Sequence, residues 1–130
     1  MKQIHYHLFE TKNPPKECLV LDNYEGWNNY AYPLGNGYFG ACVFGLVNDE
    51  RIQITNNTFA NPYSNLGKNG NCGLMNFLEI YLHFNHMAIK EYKKELDIDH
   101  SIFKLDYIAN NIKYHREAFI SYPDNVMAIK

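Results

Sequence analysis

Two alternating stretches joined by an Asn-Asn pair constrain this chain more than any other feature. "LDIDHSIFKLDYIA" and "IKYHREAFISY" flank Asn110-Asn111, and asparagine tolerates the positive φ that both central residues of a type I′ turn require. Apolar and polar residues alternate on either side, as strands buried on one face demand. The spacing predicts a β-hairpin, and a hairpin is stable only if further strands cover its apolar face.

Those strands are available. "IHYHLF" alternates, with Ile4, Tyr6 and Leu8 on one face. "LMNFLEIYLHF" alternates too, which places Leu78, Ile80, Leu82 and Phe84 inward and Glu79, Tyr81 and His83 outward. "ACVFGLV" reads as a buried strand, "NDE" as a turn and "RIQIT" as the returning strand. "CLVL" is a short apolar run, and "VMAIK" begins another strand after the turn residues "PDN". "HMAIKEYKKE" reads as one or two helical turns. The tandem prolines of "TKNPPKE", the Asn-rich "DNYEGWNNY" and the Asn- and Gly-rich stretch 56–73 are connections. The expected fold class is all-β, an antiparallel β-sandwich.

Composition fits that expectation. Aromatics make up 15% of the 130 residues, with eleven Tyr and eight Phe, side chains suited to pleated, half-buried surfaces. The length suits one domain with a core of its own. The net charge is −2 with signs interspersed, so neither nucleic acid nor a membrane is expected as a partner. Cys18, Cys42 and Cys72 show no Cys-x-x-Cys spacing and read as free thiols in a reducing compartment, Cys42 as a small core residue. The first ten residues lack the apolar run of a signal peptide. A cytoplasmic protein is the expectation.

Four patterns invite a chemical reading. Gly35, Gly37 and Gly40 have the spacing of a dinucleotide fingerprint, yet a strand rather than a helix follows them. They read instead as a tight turn at Gly35-Asn36-Gly37, with Gly40 and Gly45 permitting close backbone approach. Asp97 and Asp99 would share a strand face about 6.6 Å apart, near the separation of an inverting glycosidase pair; with nothing to set their acidities apart they read as outward-facing surface acids. His83 and His86 would face opposite sides of a strand, His5 and His7 share a face without a third ligand, and His115 faces outward. No metal and no cofactor is expected. Asn56-Asn57-Thr58 matches the glycosylation sequon, which carries little weight without a secretion signal.

Several segments, in order, resemble the N-terminal β domain of family 95 glycoside hydrolases, the α-L-fucosidase and α-L-galactosidase group. They are "WNNYAYPLGNGYFGACVFG", "ERIQIT" with "NNTFANP", "YKKELDID" and "YHREAFISYPDNVMAIK", spanning Trp27 to Lys130. The resemblance implies a galactose-mutarotase-like β super-sandwich, related to the N-terminal domains of family 65 phosphorylases. It implies that the catalytic acid and base lie in a helical (α/α)6 barrel that follows in the chain. On that basis residues 1–130 are an N-terminal module, incomplete at the C-terminus, with no catalytic residue of its own. The sequence departs from the family where Thr55 to Ala60 replace Asn-Glu-Asp-Thr-Leu-Trp, and where Lys93-Lys94 replace an arginine.

Trp27, Asn36 and the loop from Asn56 through Asn57 to Phe59 are the candidates for a sugar-site rim, since an aromatic ring and amides suit stacking and hydroxyl recognition. The expected partners are the downstream barrel and carbohydrate. A stand-alone carbohydrate-binding module with exposed Tyr platforms is an alternative reading. A structural piece that self-associates through unpaired strand edges is another.

Overall fold

The computed structural model describes residues 7–11, 30–59 and 77–130, the first of these by backbone alone. Among the described residues nine strands form two antiparallel sheets, so the fold is all-β. In chain order they are β1 (His7–Thr11), β2 (Tyr32–Gly35), β3 (Phe39–Val43), β4 (Asp49–Asn56), β5 (Leu78–His83), β6 (Lys90–Asp97), β7 (Ile102–Ala109), β8 (Ile112–Ile120) and β9 (Met127–Ile129). One sheet runs β1-β6-β7-β8-β9 and the other β2-β3-β4-β5. The chain therefore crosses to the smaller sheet after β1 and returns after β5.

The Asn-Asn hairpin lies at the centre of the larger sheet. Asn110 and Asn111 have φ of 51° and 62°, and β7 and β8 pair in unbroken register from Ile102↔Phe119 to Ala109↔Ile112. Phe103, Leu105, Tyr107 and Ala109 alternate inward along β7, and Val43, Ile52 and Ile54 meet them from the smaller sheet. The Tyr32 ring stands edge-on to Phe103 with centroids 6.1 Å apart. Burying a side chain such as Phe103 or Leu105 contributes roughly 1.5–3 kcal/mol. That contribution explains why the alternation is kept most strictly here.

Several local expectations are corrected. "HMAIKEYKKE" is not helical: its second half is β6, with Tyr92, Lys94 and Leu96 turned inward. Pairing on both flanks, with β1 and β7, overrides the helical leaning of its Lys and Glu residues. The register shift between Lys90 and Lys93 is absorbed where Glu91 takes φ 51°. "ACVFGLV" is strand only to Val43, because Gly45 (φ 73°) turns the chain. Leu78 and Phe84 are exposed rather than inward: they lie at the start and just past the end of β5, the outer strand of its sheet among the described residues. Cys42 points away from the core that Ala41 and Val43 enter, and is half-buried. "YPLG" is strand β2; its outer position accommodates Pro33, which has no N–H to donate.

"VMAIK" supplies β9, beside β8. Trp27, Cys18, Cys72, His5 and most of the stretch 56–73 lie outside the described residues. Among the described residues no helix is long and apolar enough to cross a membrane.

Candidate functional site

Period-two alternation places three charged side chains in the core. Along β4 the inward series is Glu50, Ile52, Ile54; along β8 it is Tyr114, Arg116, Ala118; along β6 it is Tyr92, Lys94, Leu96. Buried charges persist only when paired and hydrogen-bonded, and these are. Arg116 Nη1 donates to Glu50 Oε2 at 2.7 Å and to the Leu46 carbonyl at 3.1 Å. Glu50 Oε1 accepts the Gly45 amide at 2.8 Å, and the Tyr92 hydroxyl donates to the Gly45 carbonyl at 2.7 Å. Lys94 Nζ donates to the carbonyls of Tyr30 and Phe44, each at 2.9 Å, and lies 4.3 Å from the Tyr32 ring centroid. Gly45 has no substitute here, because a β-carbon would collide with the Lys94 stem.

Burial sets the acidities in this knot. It raises the Glu50 carboxyl, against the opposing pull of Arg116 and the Gly45 and Leu46 amides. It lowers the Lys94 ammonium to about 8, with Glu50 pulling the other way. Burial, and secondarily the facing Glu50, raise the Tyr92 phenol. Glu50 and Lys94 are both fully buried, so neither can meet a substrate, while the Arg116 end of the knot reaches the lining of a groove.

Beside the knot an open groove of about 320 Å³ is lined by Leu82, Phe84, His86, Tyr107, Tyr114, His115, Arg116, Ile129 and Lys130. Its aromatic wall is continuous. Phe84 stacks on His86 with centroids 5.5 Å apart, His86 lies 4.3 Å from Tyr114, and Tyr114 lies nearly parallel to Tyr107 at 5.3 Å. The Arg116 guanidinium covers the Phe84 ring at 4.6 Å. Tyr107 Oη and His86 Nδ1 are hydrogen-bonded at 2.9 Å. Asn48 fixes the loop after β5 from three atoms. Its Nδ2 donates to the His86 carbonyl, its Oδ1 accepts the His86 amide, and its own carbonyl accepts the Phe84 amide.

The candidate rim residues fall elsewhere. Asn36 sits in the β2–β3 turn with its side-chain amide committed. Oδ1 accepts the Tyr38 and Phe39 amides at 3.0 and 2.8 Å, and Nδ2 donates to the Ser121 carbonyl and to Asn125 Oδ1, each at 3.0 Å. Asn57 joins the same turn, its Nδ2 donating to the Gly37 carbonyl and its amide to the Tyr38 carbonyl. Phe59, at the end of a 3₁₀ turn (Asn57–Phe59), stacks on Phe77 with centroids 4.2 Å apart, and both rings are exposed. The structure thus brings Asn36 and Asn57 to one turn, with the Phe59 ring two residues beyond. Trp27 lies outside the described residues.

The other sequence candidates resolve differently. Asp97 and Asp99 do not share a solvated strand face: Asp97 ends β6 and is buried, while Asp99 lies in the following turn. Lys104 at 2.8 Å, and then His100, hold the Asp97 carboxyl well below its usual range. His115 is exposed, as its phase on β8 predicts, with Nδ1 on Asp106 and Nε2 on Glu117. The two carboxylates raise its pKa. Among the described residues no three His, Cys, Asp or Glu side chains are grouped to hold a metal ion.

Of the knot only Arg116 lay in a stretch that the alternation reads as a strand; Glu50 fell in the expected turn "NDE" and Lys94 in the expected helical stretch, so the knot emerges only once β4 and β6 are seen as strands. The groove carried no such signal, because Phe84 and His86 lie beyond the end of β5.

Residues 75–130, somewhat less than half of the chain, match the family described as "Glycosyl hydrolase family 65, N-terminal domain". A search of curated proteins found no match. The matched region runs from the approach to β5 through β9, and so includes the central hairpin, Lys94, Arg116 and the whole groove lining.

Proposed function

We propose that the chain is the non-catalytic N-terminal β-sandwich module of a glycoside hydrolase acting on α-linked L-fucose or L-galactose glycans. The observation that carries the reading is the family match across residues 75–130, on a two-sheet fold of the kind such a module has. The finer choice of fucose or galactose rests on the family 95-like segments between Trp27 and Lys130.

In this reading the module packs on a helical barrel that supplies the acid and base, and lends loops to the rim of the sugar site. Trp27, Asn36, Asn57 and Phe59 are its rim residues. Asn36 acts by holding the turn, since its amide is committed, while the exposed Phe59 ring, backed by Phe77, is the surface a sugar meets. The buried carboxylates support a non-catalytic role: Glu50 is sealed from solvent and paired with Arg116, and Asp97 is held by Lys104.

The test is hydrolysis of an aryl α-L-fucoside and an aryl α-L-galactoside by the 130-residue chain and by a version extended with a catalytic barrel. The expected result is turnover only in the extended protein. Turnover by the 130 residues alone would overturn the module reading. Turnover by the extended protein of an aryl α-glucoside, and of neither L-sugar, would overturn the specificity and leave the module reading standing.

A further inference from the structure

We propose that the groove between the loop after β5 and the outer end of the larger sheet is a carbohydrate subsite of its own. It takes one neutral pyranose ring, stacked on the wall formed by Phe84, His86 and Tyr114. The proposal extends the module reading by naming a ligand class for a surface separate from Asn36, Asn57 and Phe59.

Three observations carry it. The first is shape and chemistry. A sugar ring presents an apolar C–H face and an equator of hydroxyls. The groove offers rings in near-continuous contact, with the aliphatic Leu82 and Ile129 and the polar His115 and Lys130 also in its lining. Its 320 Å³ lies at the small end of ligand pockets, about 300–1,000 Å³, which suits a single ring.

The second is charge. Each cation lining the groove faces a carboxylate. Arg116 is paired with Glu50 at 2.7 Å, His115 lies between Asp106 and Glu117 at 2.7 and 3.0 Å, and Lys130 lies 4.0 Å from Glu117. A phosphate or carboxylate ligand would have to displace one of these partners, whereas a neutral ring displaces none. The balance therefore selects against an anion.

The third is pre-organisation. Asn48 clamps both the amide and the carbonyl of His86, Tyr107 holds its Nδ1, and Arg116 packs over the Phe84 ring. The wall is set before a ligand arrives, so little ordering cost falls on binding.

Saturation-transfer NMR on the 130-residue chain tests this with methyl α-L-fucoside, methyl β-galactoside and methyl α-glucoside, and with glucuronate as the anionic control. At least one neutral glycoside should receive saturation, strongest at the C–H protons of one ring face. Phe84→Ala should weaken that binding by about tenfold; Phe84 is partly exposed, so the variant keeps its fold. Ile129→Trp, which fills the groove, should abolish binding. Phe59→Ala should leave it unchanged. The proposal is overturned if no neutral glycoside receives saturation, or if glucuronate binds more tightly than all of them. It is overturned equally if Phe84→Ala and Ile129→Trp bind as well as the parent chain, or if Phe59→Ala abolishes binding. None of these outcomes depends on hydrolysis, so failure here leaves the module reading to its own assay.

Discussion

Strand β3 is tied to the larger sheet at both of its ends, and the two ties differ in kind. Three residues before its first, in the β2–β3 turn, Asn36 reaches across to the Ser121 carbonyl and to Asn125 with a neutral amide near solvent. Just past its last residue, Gly45 and Leu46 are gripped by Glu50 and Arg116, a charged pair sealed in the core. Both ties join β3 to residues of β8 or the turn after it. They differ in what happens when one partner is lost: water replaces a surface partner at little cost, while a buried charge left alone has nowhere to go.

The comparison is broken most severely at Arg116. Arg116→Met leaves the Glu50 carboxylate buried without its counter-charge, and chemical denaturation should show a loss of about 3–5 kcal/mol. Glu50→Gln in the same chain removes the orphaned charge and keeps an acceptor for the Gly45 amide. The double variant should therefore recover more than half of that loss. A double variant no more stable than Arg116→Met would mean that guanidinium packing over Phe84, rather than charge, is what the site requires.

Lys94 sharpens the same point through pH. Unfolded, it keeps its proton to about 10.5; folded, burial lets it go at about 8. Between those values the unfolded state binds more protons, so stability contributed by this group rises with pH. The gain from pH 8 to about pH 10 should be about 2 kcal/mol. Lys94→Met should remove the rising limb when urea midpoints are compared across that range. Parallel pH profiles for the two proteins would show that the ammonium keeps its proton by leaning on the Tyr30 and Phe44 carbonyls.

What the sequence disclosed follows the same division. Elements fixed by local chemistry were legible: the Asn110-Asn111 turn, the β7 and β8 alternation, and the Gly35-Asn36-Gly37 turn all stand where the residues place them. Elements fixed by distant partners were not. β6 is a strand because β1 and β7 flank it, which "KEYKKELD" does not announce. Asp97 is buried because Lys104, seven residues on, reaches back to it. The resemblance segments converge on one place: "GACVFG" provides Gly45, "ERIQIT" Glu50, "YKKELD" Tyr92 and Lys94, and "YHREAF" Arg116. The groove depends on which rings the fold happens to leave uncovered, and no periodicity encodes that.

The gentlest break is at Asn36, and it separates the two jobs of one side chain. Asn36→Ala loses two acceptor bonds within the turn and two donor bonds to the β8–β9 connection. Water substitutes for much of this at a half-exposed site, so the expected loss is about 1 kcal/mol. Asn36→Asp keeps the acceptors for the Tyr38 and Phe39 amides but sets an oxygen against the Ser121 carbonyl and Asn125 Oδ1. Hydrogen exchange distinguishes the contributions. In the Ala variant protection should fall at Phe39 and also at Ser121, whose amide closes its turn on the Val126 carbonyl. In the Asp variant it should fall at Ser121 alone. If Ser121 keeps its protection in both, the surface tie holds only its own turn, and the buried knot alone joins β3 to the larger sheet.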